Sequence, residues 1–217
     1  MIMFAFSRRA LAAAIAAVAL AACGGAQGDT NTETPAGVSL EEMSIGAADA
    51  PVTLVEYAST TCPACRFFHD NVGPTIKEYV EAGTVRWVFR EFPTAPTNIS
   101  VAGAVIARCA GEDKDFDVLD DLFENQPGIL SAARNGSAET ALRAVAARHG
   151  IDDARFDQCI SNVELRRAIA DVVSAGEAAG VTQTPTLFLN GVMLEGAQGR
   201  SPEDFRERVD ALVAAQN

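Results

Sequence analysis

Basic residues are scarce in this chain of 217 residues: 17 Lys and Arg stand against 29 Asp and Glu, for a formal net charge of −12. A surface of that sign repels phosphate, which excludes nucleic acid as a partner. Histidine is rarer still, with only two. No Ser-His-Asp arrangement, metal-ligand cluster or Gly-rich phosphate loop appears, and there is no internal repeat. A composition of 48% hydrophobic and 21% charged residues rules out collagen, extended disorder and a mainly coiled-coil chain. Five cysteines are too few for a disulfide-dense scaffold and enough for a redox site. A chain of this length buries a full core, so one domain, with room for an insertion, is the starting expectation.

The first 22 residues look like an address. Ser7-Arg8-Arg9 supplies a positive start, and Ala10 to Ala19 is uncharged and apolar, too short for a comfortable membrane span. The stretch ends in Leu20-Ala21-Ala22-Cys23, which resembles a bacterial lipobox. That resemblance implies cleavage before Cys23 and acyl chains on its sulfur and new amine, each buried CH₂ contributing about 0.8 kcal/mol of anchoring. The competing interpretation is an ordinary signal peptide cut at an Ala-x-Ala site, with Cys23 left free. Arg8-Arg9 also bears a slight likeness to a twin-arginine signal, although the residues after it fit poorly. Gly24 to Gly37 is rich in Gly, Thr, Ala and Asn and suits a flexible tether, placed at residues 23–44. The mature chain is therefore expected outside the cytoplasm, where disulfides persist.

Beyond the tether, strand and helix patterns alternate. Val52 to Ala58 is a short apolar run after the turn residues Asp49-Ala50-Pro51, as expected of a strand buried on both faces. Phe68, Val72, Ile76, Tyr79 and Val80 then share a helical face. Gly73-Pro74 should kink that helix and Gly83 should end it. Val85 to Phe92 is a second strand. Residues 97–180 carry helical stripes, among them Ala102, Val105, Ile106 and Cys109, then Phe116, Leu119, Leu122 and Phe123, with Ser137 as a helix cap. Thr186 to Leu189 returns to strand, Asn190-Gly191 is a hairpin turn, and Val192 to Leu194 is the return strand. Ser201-Pro202-Glu203-Asp204 starts a last helix. The order β-α-β, helical block, β-β-α suits an α/β sheet covered by helices.

The chemistry concentrates at Cys62-Pro63-Ala64-Cys65. A Cys-x-x-Cys just after a buried strand, in the first turn of a helix, sets one thiol against unpaired backbone N–H groups and the positive helix end. That stabilises the Cys62 thiolate and makes Cys65, one turn further in, the resolving sulfur. A zinc ribbon would need a second close cysteine pair, and Cys109 and Cys159 stand apart. Covalent haem would need His after Cys65, where Arg66 stands. A purely structural disulfide remains open at this stage. The second signal is Thr184-Pro185-Thr186 at a strand entry.

On these two motifs the chain resembles the DsbA-type thiol:disulfide oxidoreductases of the thioredoxin superfamily, from about Ile45 to the C-terminus. The resemblance implies a thioredoxin fold made of residues 45–96 and 181–217, with an inserted helical domain at 97–180. It implies a cis Pro185 packed against the cysteines, with Thr184 and Pro185 binding an extended substrate strand. The residue six before the first cysteine is often a buried acid relaying protons to the second, and here that residue is Glu56; a solvent-facing Glu is the alternative. Four cysteines besides Cys23 allow three pairings, and adjacency favours 62–65, leaving Cys109 and Cys159. Both fit as plain buried hydrophobes, while related proteins carry a second, non-catalytic disulfide in the helical block.

Two departures matter: Ala64 stands where DsbA has His, and Thr184 is more typical of isomerase-like relatives. The segment before residue 45 is too short for the dimerisation domain of those isomerases, so a monomer is expected. Neither organic cofactor nor metal is needed. Expected partners are cysteine-containing exported proteins and a membrane redox partner, either a quinone-linked oxidase or a thiol donor. His69, a turn beyond Cys65, is expected at the surface, with a role in tuning the site as the alternative, and His149 is expected to serve a helix C-terminus. The expected function is a lipid-anchored periplasmic disulfide exchange enzyme, foremost an oxidase; a reductase, an isomerase or a non-catalytic tethered peptide-binding module or chaperone are the alternatives.

Overall fold

The structure, a computed structural model, describes residues 40–216; the expected leader, Cys23 and most of the tether lie outside the described residues. Strand β1 (Met43–Ile45) is followed by β2 (Val52–Ala58), α1 (Pro63–Asn71), α2 (Gly73–Glu81) and β3 (Val85–Glu91). Six helices come next: α3 (Thr97–Ala110), α4 (Asp115–Glu124), α5 (Gln126–Arg134), α6 (Ala138–Arg148), α7 (Asp153–Ser161) and α8 (Val163–Ala178). The chain closes with β4 (Thr186–Leu189), β5 (Val192–Met193) and α9 (Pro202–Ala214).

The sheet order is β1-β3-β2-β4-β5. β2 lies at the centre, parallel to β3 from Val52↔Val85 to Ala58↔Glu91 and antiparallel to β4 from Leu54↔Leu189 to Tyr57↔Thr186. Its edges are taken by both neighbours and both its faces are largely buried, which is why the run from Val52 to Ala58 is almost continuously apolar. β1 was not foreseen: it pairs antiparallel with β3 and begins at Met43, inside the stretch assigned to the tether. The mixed sheet, with α1 and α2 crossing from β2 to β3 and the β4–β5 hairpin leading to α9, is a thioredoxin fold. The helices from α3 to α8 form an all-helical insertion between β3 and β4.

Local sequence explains the breaks. Pro74 has no N–H to continue the ladder, so the expected kink is a full interruption: α1 is capped by Val72, which also opens α2. Asn190 and Gly191 both take positive φ, 47° and 80°, the requirement of the tight turn joining β4 to β5. Ser201 caps α9 by accepting from the Asp204 N–H at 3.2 Å. Ser137 stands at the start of α6 but makes no capping bond; its hydroxyl donates instead to the Ala132 carbonyl.

The hydrophobic core is continuous from sheet to insert. Leu54, Trp87 and Phe89 of the sheet join Leu119, Leu122 and Phe123 of α4 and Leu142 of α6 in one buried cluster. Contact between the two layers is close at Gly103 of α3, where a Cβ would sit 2.7 Å from Thr60 Oγ1. A disulfide joins Cys109 of α3 to Cys159 of α7, with Cα atoms 6.2 Å apart. Beside it, Arg108 and Glu91 form a buried two-pronged ion pair, and Arg108 Nη1 also donates to the Glu41 carbonyl at 2.7 Å. No helix among the described residues is long and apolar enough to cross a membrane.

Candidate active site

Central strand β2 ends at Ala58, and the loop 59–62 delivers Cys62 to the N-cap of α1 with Pro63 as the first helical residue. Cys62 and Cys65 are both thiols, Cys62 half-buried and Cys65 fully buried. Helix geometry places them a turn apart, and the Cys65 N–H closes on the Cys62 carbonyl at 3.1 Å. Thr184 and Pro185, joined by a cis peptide bond, come from the loop before β4. The Cys62 thiol donates to the Thr184 carbonyl at 3.5 Å.

The two sulfurs differ sharply. The Cys62 thiol is drawn down from an ordinary 9.0 to about 5. Donation from the Cys65 S–H to the thiolate is the main cause, working against partial burial; the Thr184 side chain and the backbone N–H groups of Cys65 and Ala64 add to it. Burial pushes the Cys65 thiol far above its ordinary range, with the bond to Cys62 and the Glu56 charge adding. One sulfur is thus a half-buried anion at neutral pH and the other a fully buried thiol, the division of labour that thiol–disulfide exchange requires.

Glu56 faces the interior of the sheet, fully buried. Its Oε2 accepts from Trp87 Nε1 and pairs with His69 Nε2, each at 3.1 Å, while Oε1 has no hydrogen-bond partner. His69, expected at the surface, is only 7% exposed. Its ring lies against Phe123, centroids 4.0 Å apart, and Trp87, at 5.0 Å. The helix face carrying His69 is covered by α4 of the insert. His149 likewise meets a side chain: its Nε2 lies 2.9 Å from Asp121 Oδ2 of α4.

The loop entering the site is pinned from below. Ser59 Oγ lies 2.7 Å from Ser100 Oγ and 3.0 Å from Thr61 Oγ1, and accepts from the Thr94 N–H at 3.1 Å. Gln126, at the start of α5, donates through Nε2 to the Thr60 carbonyl at 2.9 Å and the Cys62 carbonyl at 3.0 Å. Across the site, Arg200 Nη2 donates to the Pro185 carbonyl at 2.7 Å. A groove of ≈ 950 Å³ opens beside Thr61 and Pro63, with Ile99, Leu130 and Leu142 along it.

The structure therefore brings Cys62, Cys65, Thr184 and Pro185 together, with Glu56 buried in the strand that leads to them; Cys109 and Cys159 are bonded within the insert. Trp87 and Gln126 were missed as supports of the site, and His69, for which tuning the site was the lesser expectation, lies buried beside Trp87. The pairing of a buried strand acid with the only Trp on the next strand was the one available signal, and a lone Gln before Pro127 carries none. Among the described residues no group of three or more His, Cys, Asp or Glu is placed to hold a metal ion.

Fold and cysteine pair define a DsbA-like thiol–disulfide oxidoreductase scaffold of the thioredoxin superfamily. A family model described as Thioredoxin matches residues 39–211, and the chain belongs to that family. It is similar to α-DsbA1 of Wolbachia pipientis, with a TM-score of 0.73 and 27% identity over 81% of this chain and 92% of that one. A putative protein-disulfide oxidoreductase of Rickettsia bellii is 27% identical over 156 residues, 71% of this chain and 59% of that protein. The chain thus spans little more than half the length of that relative. BdbD of Bacillus subtilis, at 19% identity, shares the fold with a TM-score of 0.67 over 82% of this chain and 96% of that one.

Proposed function

We propose that this protein is a periplasmic disulfide donor, anchored through a lipidated Cys23, that oxidises cysteine-containing exported proteins as a monomer. The observation that carries it is the asymmetry of the pair: a half-exposed Cys62 held as thiolate beside a buried Cys65 thiol. A stabilised thiolate favours the reduced enzyme, and the Cys62–Cys65 disulfide becomes a better oxidant by the same amount.

The reaction starts when a substrate thiolate attacks Cys62 of the disulfide. Cys65 leaves with the electron pair and takes up a proton, and a mixed disulfide forms between substrate and Cys62. A second substrate thiolate attacks the substrate sulfur of that bond and releases Cys62 as the thiolate. The substrate gains a disulfide and the enzyme leaves reduced, to be reoxidised by a membrane partner. Thr184 and Pro185 offer backbone groups to the substrate strand. Phe67, 64% exposed on α1, and the groove beside Pro63 offer apolar surface to a polypeptide. Cys109–Cys159 is a structural bond outside the exchange. The insert 97–180 and the thioredoxin-like parts 45–96 and 181–217 act as one body.

A thiol at about 5 lies between thioredoxin at about 7 and DsbA at about 3.5. Scaled by about 30 mV per pKa unit from either anchor, the pair should have a reduction potential of roughly −165 to −210 mV. Equilibration of the chain in glutathione buffers measures it. A value near about −270 mV, like thioredoxin, would make the protein an electron donor instead. Cys65→Ala should accumulate covalent adducts through Cys62 in exported-protein extracts; a non-catalytic peptide-binding module would form none.

A further inference from the structure

A line of ionisable groups runs from Cys65 to the surface on the side of α1 facing α4. Glu56 on β2 raises the Cys65 thiol through its charge. Its Oε2 meets His69 Nε2 at 3.1 Å. The other ring nitrogen, Nδ1, is buried without a hydrogen-bond partner and faces Asp120 Oδ1 of α4 at 3.9 Å, an ion-pair distance. Asp120 is 38% exposed and pairs with Lys77 of α2, itself 40% exposed. The groups facing His69 are therefore Glu56 from β2 and Asp120 from α4, with Lys77 of α2 behind Asp120; Trp87 and Phe89 of β3 and Phe123 of α4 are uncharged. On α1 itself Arg66 and Asp70 pair with each other.

We propose that His69 is the proton store for the Cys65 half of the exchange: Nε2 supplies Glu56, and Nδ1 is refilled from solvent past Asp120. This rests on the assignment of Cys62 and Cys65 as the exchanging pair. When the Cys62–Cys65 bond breaks, the buried Cys65 sulfur cannot remain an anion. Glu56, a carboxylate, takes a proton from His69 Nε2 and hands it to the sulfur, directly or through one water, ending as the carboxylate again. The neutral ring then regains a proton at Nδ1, so one solvent proton enters for each disulfide opened. Phe123 and Trp87 clamp the ring, so its two nitrogens hold opposite directions, one inward and one outward. The two carboxylates outweigh burial and lift the ring to about 9, which keeps the store loaded at neutral pH.

The test is reduction of the full chain's disulfide by dithiothreitol, with rates normalised to reductant thiolate and followed through Trp87 fluorescence from pH 6 to 10. Wild type should run level through neutral pH and fall off near pH 9. His69→Gln keeps an N–H for Glu56 but no exchangeable charge. It should be about ten-fold slower at pH 7, less than the ~10²–10⁴-fold of a direct proton donor because His69 acts through Glu56, and lack the fall near pH 9. Asp120→Asn should move the fall to lower pH. A His69→Gln profile matching wild type overturns the proposal. Should that variant not fold, nitrogen NMR of the wild-type ring decides: a doubly protonated His69 at pH 7 supports the store, and titration near the ordinary 6.5 overturns it. A wild-type disulfide inert to dithiothreitol would sink the redox assignment itself.

Discussion

The C-terminal turn of α3 and the first two turns of α1 hold the same ingredients and treat them oppositely. Each has a cysteine, a buried glutamate on a neighbouring strand and a basic residue beside it. At α3, Cys109 is bonded to Cys159, and Glu91 is gripped at both oxygens by Arg108. At α1, both sulfurs are thiols, Glu56 has one oxygen unpartnered, and its basic neighbour is a histidine. Arg stays charged at any working pH and closes both carboxylate oxygens in one fork. His binds one oxygen and can give its proton up. Where every valence is taken the region serves stability; where some are left over it can react.

That contrast is sharpest in the ion pair. Arg108→Met leaves Glu91 buried and unpaired and should cost about 3–5 kcal/mol, read as a lowered urea midpoint. Adding Glu91→Leu should recover most of the loss, and a single variant within about 1 kcal/mol of wild type would show that Glu91 is neutralised another way. Next in size, Cys109→Ser with Cys159→Ser should cost about 2–4 kcal/mol while leaving the alkylation midpoint of Cys62 in place. A shift of that midpoint would mean the two cysteine pairs are coupled.

At α1 the effects on stability should be smaller. Glu56→Gln removes a carboxylate that is only half satisfied, so about 1 kcal/mol or less is expected, together with slower opening of the disulfide. A loss as large as that of Arg108→Met would erase the distinction between the two glutamates. The smallest effect is a pH dependence of the reduced form. The Cys62 thiol is depressed from 9.0 to about 5 in the fold, so the folded state holds fewer protons than the unfolded one between those values. The stabilisation is full above pH 9 and is lost as pH falls through 5; solvent at the half-exposed sulfur keeps it modest. Melting of reduced and oxidised protein from pH 4 to 9 should show the reduced form losing ground toward the acid end, and iodoacetamide should titrate Cys62 near pH 5.

Legibility in the sequence followed the range of the forces involved. The apolar run 52–58, the Asn190-Gly191 turn and the start at Ser201-Pro202 are dictated by near neighbours and were placed from the chain alone. So was the Cys62–Cys65 turn, because helix N-terminal chemistry is local. β1 was hidden because Met43-Ser44-Ile45 is too short to show a period, and its pairing with β3 is non-local. Ser137 had a capping residue's identity but not its bond, since its hydroxyl turned back to Ala132. His69 sits one residue past Phe68 and one before Asp70, so its own turn says surface. Non-local packing, with Phe123 of the insert on one side of its ring and Trp87 of β3 near by, makes it core.

Gln126 has a consequence for anyone who would trim this protein to a minimal thioredoxin unit. Its amide nitrogen is an architectural tie bar thrown from the first residue of α5 to two successive points of the cysteine loop. Excision of residues 97–180 would remove that tie and strip the Thr60 carbonyl of its side-chain donor, at roughly 1–3 kcal/mol if the acceptor stays buried. The reactive loop would then be free to settle elsewhere. The helical insertion is therefore part of the scaffolding of the redox centre, and the two would have to be transplanted as a single graft.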